Sequence, residues 1–260
     1  MIKKNNYIVI FVLFILFSCK KEITNYYDNG NIKSKGYLLN GKKDGLAIVY
    51  YENENIKEKG YWKNDKQEGT WNYYYKDGSI SKEAQFIDGK QEGFLKMYNK
   101  SNKLIEKSLW SNDKLNGKTQ FFYDDGTLKE EVNYTNNEKD GISKVFYENG
   151  TLQQIGRWGE NLQEDEFITF YENQDTLQVG YFKKGLENGV FRTFYPNNKI
   201  KSHINWKNGK QNGRTVYYFS SGIIEQEGNF KLGKPFGMWR FYNDKGKLIR
   251  EVDIDQESNT

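Results

Sequence analysis

The sequence feature that most constrains the fold is a unit of 24 residues that recurs along almost the whole chain. One unit begins at Gly69, which follows an acidic residue and precedes a segment rich in aromatic residues, 71–75. Glycine occupies the same grid position at Gly45, Gly69, Gly93, Gly117, Gly141, Gly189, Gly213 and Gly237. Asp165 takes the place of glycine in the remaining unit. A fixed period of this length is typical of repeat proteins, in which each unit packs against its neighbours.

Three columns of apolar residues keep a fixed distance from the grid position. The first column, five residues after it, is Tyr50, Tyr74, Tyr98, Phe122, Phe146, Phe170, Phe194, Tyr218 and Tyr242. The second column, 17 residues after it, is Trp62, Phe86, Trp110, Tyr134, Trp158, Phe182, Trp206 and Phe230. The third column, 11 residues after it, is Ile56, Ile80, Leu104, Leu128, Leu152, Ile200, Ile224 and Leu248. Each unit therefore carries two short apolar segments.

The apolar segments have the composition of β-strands, because they are rich in Tyr, Phe, Trp, Thr and Ile and are too short for helices. Residue pairs that tolerate the positive φ of tight hairpin turns separate them. These pairs are Asp77-Gly78, Asp125-Gly126 and Asn149-Gly150 on one side of the unit, and Asn40-Gly41, Asp88-Gly89 and Asn208-Gly209 on the other. The pattern predicts successive β-hairpins.

Successive hairpins without a long crossover predict an all-β fold: an elongated, twisted, single-layer antiparallel meander. About nineteen strands, spaced by roughly 4.8 Å, would form a ribbon on the order of 90 Å long. We assign residues 25–254 to this repeat domain and 255–260 to a flexible C-terminal tail. The grid glycine is missing at Asp165 and the turn glycine is missing at 173–175, so the sequence predicts an irregular central unit, either a kink or a docking position.

The N-terminus has the pattern of an export signal. Lys3 and Lys4 precede an apolar run over 7–17 that is too short to span a bilayer comfortably. We assign residues 1–18 to a signal peptide. The run ends in Leu16-Phe17-Ser18-Cys19, which resembles the lipobox of bacterial lipoproteins. This resemblance implies that Cys19, the single cysteine of the sequence, is lipidated and begins the mature chain, with 19–24 as anchor and short tether.

The lipobox resemblance also implies a location. A lipidated chain would be held on a membrane of the bacterial cell envelope by its acyl chains. Residues 20–22 lack the aspartate that would resemble an inner-membrane retention signal of enterobacterial lipoproteins. We therefore expect the outer membrane, and the sequence leaves open whether the chain faces the periplasm or the cell surface.

The units themselves resemble the MORN repeat family in its bacterial variant form, whose units run Gly-x-Trp-x-x-Tyr before a turn. Here the motif stands as Gly69-Thr70-Trp71-Asn72-Tyr73-Tyr74 and as Gly237-Met238-Trp239-Arg240-Phe241-Tyr242. The resemblance covers nearly all of 25–254 and implies a β-hairpin repeat protein. Whole repeats also look like those of the YwqK-type antitoxin family, which implies an antitoxin or immunity role against a partner toxin.

The residue types needed for catalysis are scarce. The sequence has one histidine, one cysteine, and neither a Gly-x-Ser-x-Gly motif nor a P-loop. His203 falls in a column occupied mostly by Lys and Glu, which predicts an exposed side chain without a ligand. Lys and Glu alternate at a net charge of +4, which argues against nucleic-acid binding. We expect no enzyme activity, no cofactor and no metal site.

Two groups of residues are candidates for binding. Tryptophans of the second column recur in alternate units and would form a row of rings suited to protein or glycan contact: Trp62, Trp110, Trp158 and Trp206. An acidic run in the central unit is suited to a cation or a basic partner: Glu164, Asp165 and Glu166. The leading hypothesis is a non-enzymatic envelope lipoprotein that acts as a scaffold for another envelope protein. The alternatives are glycan or peptidoglycan binding through exposed tryptophans, and the antitoxin-like role.

Overall fold

The computed structural model describes residues 20–257, which fold into 23 β-strands and one short helix. The predicted signal peptide, Cys19 and residues 258–260 lie outside the described residues. All the strands belong to a single sheet. Within 20–257 no helix is long and apolar enough to cross a membrane.

The strands follow the repeat. They are β1 (Lys20–Tyr26), β2 (Ile32–Leu39), β3 (Lys42–Lys43), β4 (Gly45–Tyr50), β5 (Ile56–Lys63), β6 (Lys66–Tyr74), β7 (Ile80–Ile87), β8 (Lys90–Tyr98), β9 (Leu104–Ser111), β10 (Lys114–Leu115), β11 (Gly117–Phe122), β12 (Leu128–Thr135), β13 (Glu138–Phe146), β14 (Leu152–Gly159), β15 (Leu162–Phe170), β16 (Thr176–Lys183), β17 (Leu186–Glu187), β18 (Gly189–Phe194), β19 (Ile200–Lys207), β20 (Lys210–Tyr218), β21 (Ile224–Lys231), β22 (Lys234–Tyr242) and β23 (Leu248–Asp253), and the helix is α1 (Ile254–Glu257).

Successive long strands pair antiparallel, so the sheet is an open meander without a crossover. Strands β2, β9 and β16 each pair both with a two-residue strand and with the strand after it. The two-residue strands β3, β10 and β17 are each separated by one residue from the strand that continues them. The all-β, single-layer antiparallel meander expected from the repeat is therefore confirmed.

Both ends of the sheet differ from the predicted boundaries. Strand β1 begins at Lys20, so the described residues of the predicted tether pair with β2, from Lys20 opposite Leu39 to Thr24 opposite Lys35. The free hydrogen-bonding groups of β2 explain this extension, because they are satisfied by one more strand. At the other end α1 takes up 254–257, so the first residues of the predicted flexible tail, 255–260, belong to a helix. The Asp255 carboxylate accepts a hydrogen bond from the Gly237 amide there (3.2 Å).

Nine hairpins close with a two-residue turn in which both residues have positive φ, as type I′ turns require. The turns are Asn40-Gly41, Asn64-Asp65, Asp88-Gly89, Asn112-Asp113, Asn136-Asn137, Glu160-Asn161, Lys184-Gly185, Asn208-Gly209 and Leu232-Gly233. The three predicted among them are confirmed. On the other long side of the sheet, the predicted pair Asp77-Gly78 is instead part of a longer loop. Gly78 alone has positive φ there, and the Tyr75 amide donates to the Ser79 carbonyl (2.8 Å).

Hydrogen bonds join successive units along both of the long sides of the sheet, where the turns and loops lie. On one edge the amide of a turn residue donates to a carbonyl of the preceding unit, as from Gly89 to Gln67 (2.9 Å). On the other, tyrosine hydroxyls donate to a backbone carbonyl 23 residues further on, at 2.7–2.8 Å. The donors are Tyr27, Tyr51, Tyr75, Tyr123, Tyr147, Tyr171 and Tyr195. The sequence reasoning did not single out this column, which ties each unit to the next.

The grid position is the site of a β-bulge with positive φ. Gly69 has a φ of 69° and lies opposite Phe86. Asp165 has a φ of 60° and lies opposite Phe182 in the same register. Gln174 likewise adopts positive φ where other units have the turn glycine. The prediction of an irregular central unit is therefore wrong. Non-glycine residues adopt the left-handed conformation there, and the strand pairing continues unchanged.

This strain gives a testable expectation for Asp165→Gly. A non-glycine residue at positive φ is strained, so glycine should raise the free energy of unfolding by about 1 kcal/mol. The reciprocal change Gly69→Asp should lower it by a similar amount, since an added Cβ at Gly69 would contact nothing within 4 Å and only the backbone conformation is changed. Urea unfolding followed by circular dichroism measures both. Equal stability of both variants and the unmodified chain would contradict the expectation.

Candidate interaction surfaces of the sheet

One face of the sheet, the packing face, holds the core of the protein. A column two residues after the grid position lies there beside the second aromatic column. Its members are Ala47, Trp71, Leu95, Thr119, Ser143, Phe167, Phe191, Thr215 and Trp239, all buried except Ala47. Rings of the two columns meet edge to face, as in Trp62 and Trp71 (centroids 5.3 Å apart, 84°) and Phe182 and Phe191 (5.4 Å, 78°). Such contacts stabilise beyond the burial of area.

The sizes of neighbouring side chains on the packing face are complementary. Gly60, Gly156, Gly180 and Gly228 each lie beneath a ring of the next strand, and a methyl group on any of them would overlap that ring. The covering rings are Trp71, Phe167, Phe191 and Trp239. In two units without this glycine the relation is reversed: Val132 lies opposite Ser143, and Ile204 lies opposite Thr215. The sequence reasoning missed this column because no single residue type marks it.

The four candidate tryptophans are half-buried on the packing face. Trp62 packs against Trp71, Trp158 against Phe167 (6.0 Å, 77°) and Trp206 against Phe191 (5.8 Å, 56°). The indole Nε1 of Trp110 donates to the Ser108 hydroxyl (2.9 Å). Their rings are thus part of the packed core, whereas the glycan hypothesis expects exposed, coplanar rings.

The three candidate carboxylates do not converge on one position, because each has a different partner within the chain. Glu164 accepts a hydrogen bond from the Lys184 amide (2.9 Å), and Glu166 accepts one from the Tyr181 hydroxyl (2.8 Å). Asp165 lies 3.8 Å from the guanidinium of Arg157. Within 20–257 no group of three or more His, Cys, Asp or Glu residues is placed to hold a metal ion.

Glu164 has a counterpart in other units. Glu68 accepts a hydrogen bond from the amide of Asp88 (3.0 Å), and Glu92 accepts one from that of Asn112 (2.9 Å). In each case the acceptor is the acidic residue just before the grid position, and the donor is the first residue of the type I′ turn. The acid-glycine pair of the repeat therefore has a structural role in capping the hairpin.

The opposite face, the charged face, carries ion pairs towards both ends. Lys96 pairs with Glu83 (3.2 Å) and Lys118 with Glu131 (2.9 Å) on one side of the centre. Arg214 pairs with Glu227 (2.7 Å) and Arg240 with Glu251 (2.6 Å) on the other. The hydrogen bond from Lys118 lowers the pKa of the Glu131 carboxyl, and that from Arg214 lowers the pKa of the Glu227 carboxyl.

The centre of the charged face is apolar. Ile155 lies opposite Ile168, and Ile168 opposite Val179, on the adjacent strands β14, β15 and β16. All three are half-buried, and we call them the central apolar patch. Lys144 lies beside Ile155 and Arg192 beside Val179, so a cation flanks the patch on each side. Neither cation is in a salt bridge within the described residues.

The composition of the first column changes at the same place. It is Tyr towards both ends of the charged face, where Tyr98 and Tyr242 donate to Glu83 (3.2 Å) and Glu227 (2.9 Å). Around the central apolar patch the column is Phe122, Phe146, Phe170 and Phe194. Phenylalanine has no hydroxyl to donate, so the middle of this face loses polar groups from two columns at once. This coincidence was the signal in the sequence that would have revealed the patch.

His203 lies next to Arg192 on the charged face and is half-buried, not exposed as the sequence predicts. Burial lowers the pKa of its imidazole, and the positive charges of Arg192 and Arg214 lower it further. The ring is therefore neutral at pH 7, and the cation beside the patch is Arg192.

Taken together, the fold and surfaces define a β-hairpin repeat protein with an open, single-layer sheet. The MORN repeat variant model matches residues 21–40, 43–64, 67–88, 115–136, 139–158, 187–208 and 211–232. The chain belongs to the MORN repeat variant family. No curated protein matches the sequence.

Solved structures that match contain much longer chains. They include the TcdB2–TccC3–Cdc42 complex, at 10% identity over 90% of this chain and 13% of that chain, with a TM-score of 0.20. The TcdB2–TccC3 structure matches at 11% identity over 90% of this chain and 17% of that chain, with a TM-score of 0.20. A Photorhabdus luminescens Tc holotoxin pore matches at 10% identity over 92% and 17%, with a TM-score of 0.17. Such low TM-scores carry no argument about fold or function.

The lowered pKa of His203 predicts how stability depends on pH. A histidine whose pKa is lower in the folded chain than its ordinary 6.5 favours unfolding once protonated. The contribution of His203 to stability should therefore be present above the ordinary pKa and fall as the pH decreases from about 7.5 to below 6.5. This is the one histidine of the sequence, so His203→Gln should flatten the change in Tm over this range. An unchanged slope in the variant would contradict the assignment.

Proposed function

We propose that this protein is a non-enzymatic scaffold of the bacterial cell envelope that binds another protein through the central apolar patch of its charged face. Repeats of this family are consistent with a scaffold for protein interaction. The observation that carries the proposal is the row Ile155, Ile168 and Val179, which is only half-buried and lies between the ion pairs on either side of this face. Apolar patches with a polar rim are typical of protein interfaces.

The surroundings of the patch indicate the chemistry of the partner. Lys144 and Arg192 lie at its two sides without a salt bridge in the described residues. A partner segment with apolar side chains between carboxylates would bury the patch and pair both cations, which favours association and fixes register. A second copy fits poorly. Stacking the patch on itself by a two-fold axis, along the strands or across them, sets cation against cation.

The ionisable groups with shifted pKa values have structural explanations. Hydrogen bonds from Ser79 lower the pKa of Asp77, and those from Thr127 lower the pKa of Asp125, both within loops. Glu131 and Glu227 are held by their ion pairs with Lys118 and Arg214. These carboxylates therefore belong to the loops and ion pairs that stabilise the sheet.

The lipid anchor is the second part of the proposal. Cys19 immediately precedes β1, the terminal strand of the sheet, so acylation there would hold the ribbon by one end. The central apolar patch lies on β14 to β16, many strands away from that end. Such an arrangement presents the patch to a protein beyond the lipid surface of the outer membrane. An antitoxin-like role would be one form of this function, with a toxin as the partner.

The proposal is tested by cross-linking the tagged, lipidated chain in its native envelope. Ile168→Asp places a carboxylate in the patch, and Arg192→Glu reverses a flanking charge, so each should abolish capture of the partner. Lys59→Glu is the matched control, because it reverses a charge in the same row of the charged face, far from the patch. It should leave capture intact, while Cys19→Ala should abolish it by releasing the chain from the membrane.

The Tm of each purified variant shows that the sheet is folded. Capture of the same protein by the unmodified chain and by both patch variants would contradict the patch as the binding surface. No captured protein with the unmodified chain would contradict the scaffold itself.

A further inference from the structure

The first unit of the sheet lacks a ring that equivalent units have. Gly36 holds the same position in β2 as Gly60, Gly156, Gly180 and Gly228 hold in their strands, 24 residues or a multiple of 24 away. Each of those four glycines is covered by a Trp or Phe from the next strand. The residue that would cover Gly36 is Ala47. A methyl group placed on Gly36 would meet only the Ala47 side chain, at 3.9 Å.

A half-open cavity of about 310 Å³ lies on the packing face at this point. Its walls include Ile23, Leu38 and Val49 together with the rings of Trp62 and Trp71. Apolar walls with a few polar groups are typical of binding pockets of this size. The cavity is on the opposite face from the central apolar patch, so it is independent of the function proposed above.

The other units show what fits such a position. Phe167 covers Gly156 and lies between Trp158 (centroids 6.0 Å apart) and Phe182 (5.4 Å). Phe191 covers Gly180 and lies between Phe182 (5.4 Å) and Trp206 (5.8 Å). Each ring is thus held between two side chains of the second column, with a glycine beneath it.

The cavity repeats this arrangement with the central ring missing. Leu38 and Trp62 stand at the two second-column positions on either side of it, and Gly36 forms its floor. Polar side chains lie at its edge, among them Asn25, Lys43 and Glu58. The Lys43 ammonium is 4.4 Å from the centre of the Trp62 ring, which leaves a cation beside the mouth.

We propose that this cavity is a receptor site for one aromatic side chain, Trp or Phe, presented by a partner protein. The incoming ring would lie over Gly36 and meet the edge of Trp62, as Phe191 lies over Gly180 and meets Trp206. An aromatic anchor in a preformed pocket is a common centre of binding energy at protein interfaces. The Lys43 ammonium supplies a hydrogen-bond donor for a carbonyl that flanks the anchor, and the Asn25 amide, which donates to the Ser34 hydroxyl (2.9 Å), lies at the same edge.

The fit of a ring is tested first within the chain itself. Ala47→Trp copies the pair of Gly60 and Trp71, so the new indole should fill the cavity and raise Tm by about 2–4 °C. Thr215→Trp is the matched control, since Ile204 leaves no room for a ring there, and it should lower Tm. A fall in Tm for Ala47→Trp as large as that for Thr215→Trp would overturn the proposal.

Binding is tested with N-acetyltryptophanamide on the ¹⁵N-labelled full chain in detergent. The indole Nε1 resonances of Trp62 and Trp71 should shift on its addition, and N-acetylleucinamide should bind at least several-fold more weakly. Both Ala47→Trp and Gly36→Ile should abolish the shifts. The second variant fills the floor of the cavity without depending on the fold of the first. Absent shifts, equal binding of the leucine probe, or shifts that persist in both variants would overturn the proposal.

Discussion

The structure depends on one packing relation: a ring of one strand lies over a small residue of the strand before it. A single-layer sheet has no second layer to cover its core, so each side chain is buried only by neighbours on the same face. Gly60 beneath Trp71 and Gly228 beneath Trp239 allow the ring to approach the backbone closely. Second-column rings then close the sides, at centroid distances of 5.3 Å for Trp62 and Trp71 and 5.4 Å for Phe230 and Trp239.

Because the packing face supplies this core, the charged face is free to vary along the ribbon. Ion pairs lie on both sides of its centre, and its centre is Ile155, Ile168 and Val179. The units thus share a framework while differing in the surface that they present. The two proposed contact sites follow from such differences. The central apolar patch lies where other units have charged residues, and the cavity over Gly36 lies where other units have an aromatic ring.

The sequence predicted the framework well, because the grid position and the first two columns are each restricted in residue type. The meander and the type I′ turn at Asp88-Gly89 follow directly from them. The prediction at Asp165 was wrong, since the loss of glycine suggested an irregular unit, either a kink or a docking position. The backbone conformation is the conserved quantity of the repeat here, and Asp also adopts it, at a φ of 60°.

The surfaces were harder to predict, for a physical reason. The buried column contains Trp71, Thr119 and Ser143 alike, because what is fixed is the combined size of two side chains on adjacent strands. No column of single residues shows this. The tryptophans stood out by residue type, yet whether a ring is packed or exposed depends on the partner beneath it.

The measurement that tests this packing relation most directly is a double-mutant cycle on Gly60 and Trp71, which converts the pair to the Val132 and Ser143 type. Gly60→Val alone should destabilise by about 1–3 kcal/mol through overlap with the indole, and Trp71→Ser alone by about 3–5 kcal/mol through loss of the ring. If the sizes are complementary, the double variant should be more stable than the sum of the two losses predicts, by about 1–3 kcal/mol. Strictly additive losses would contradict the account.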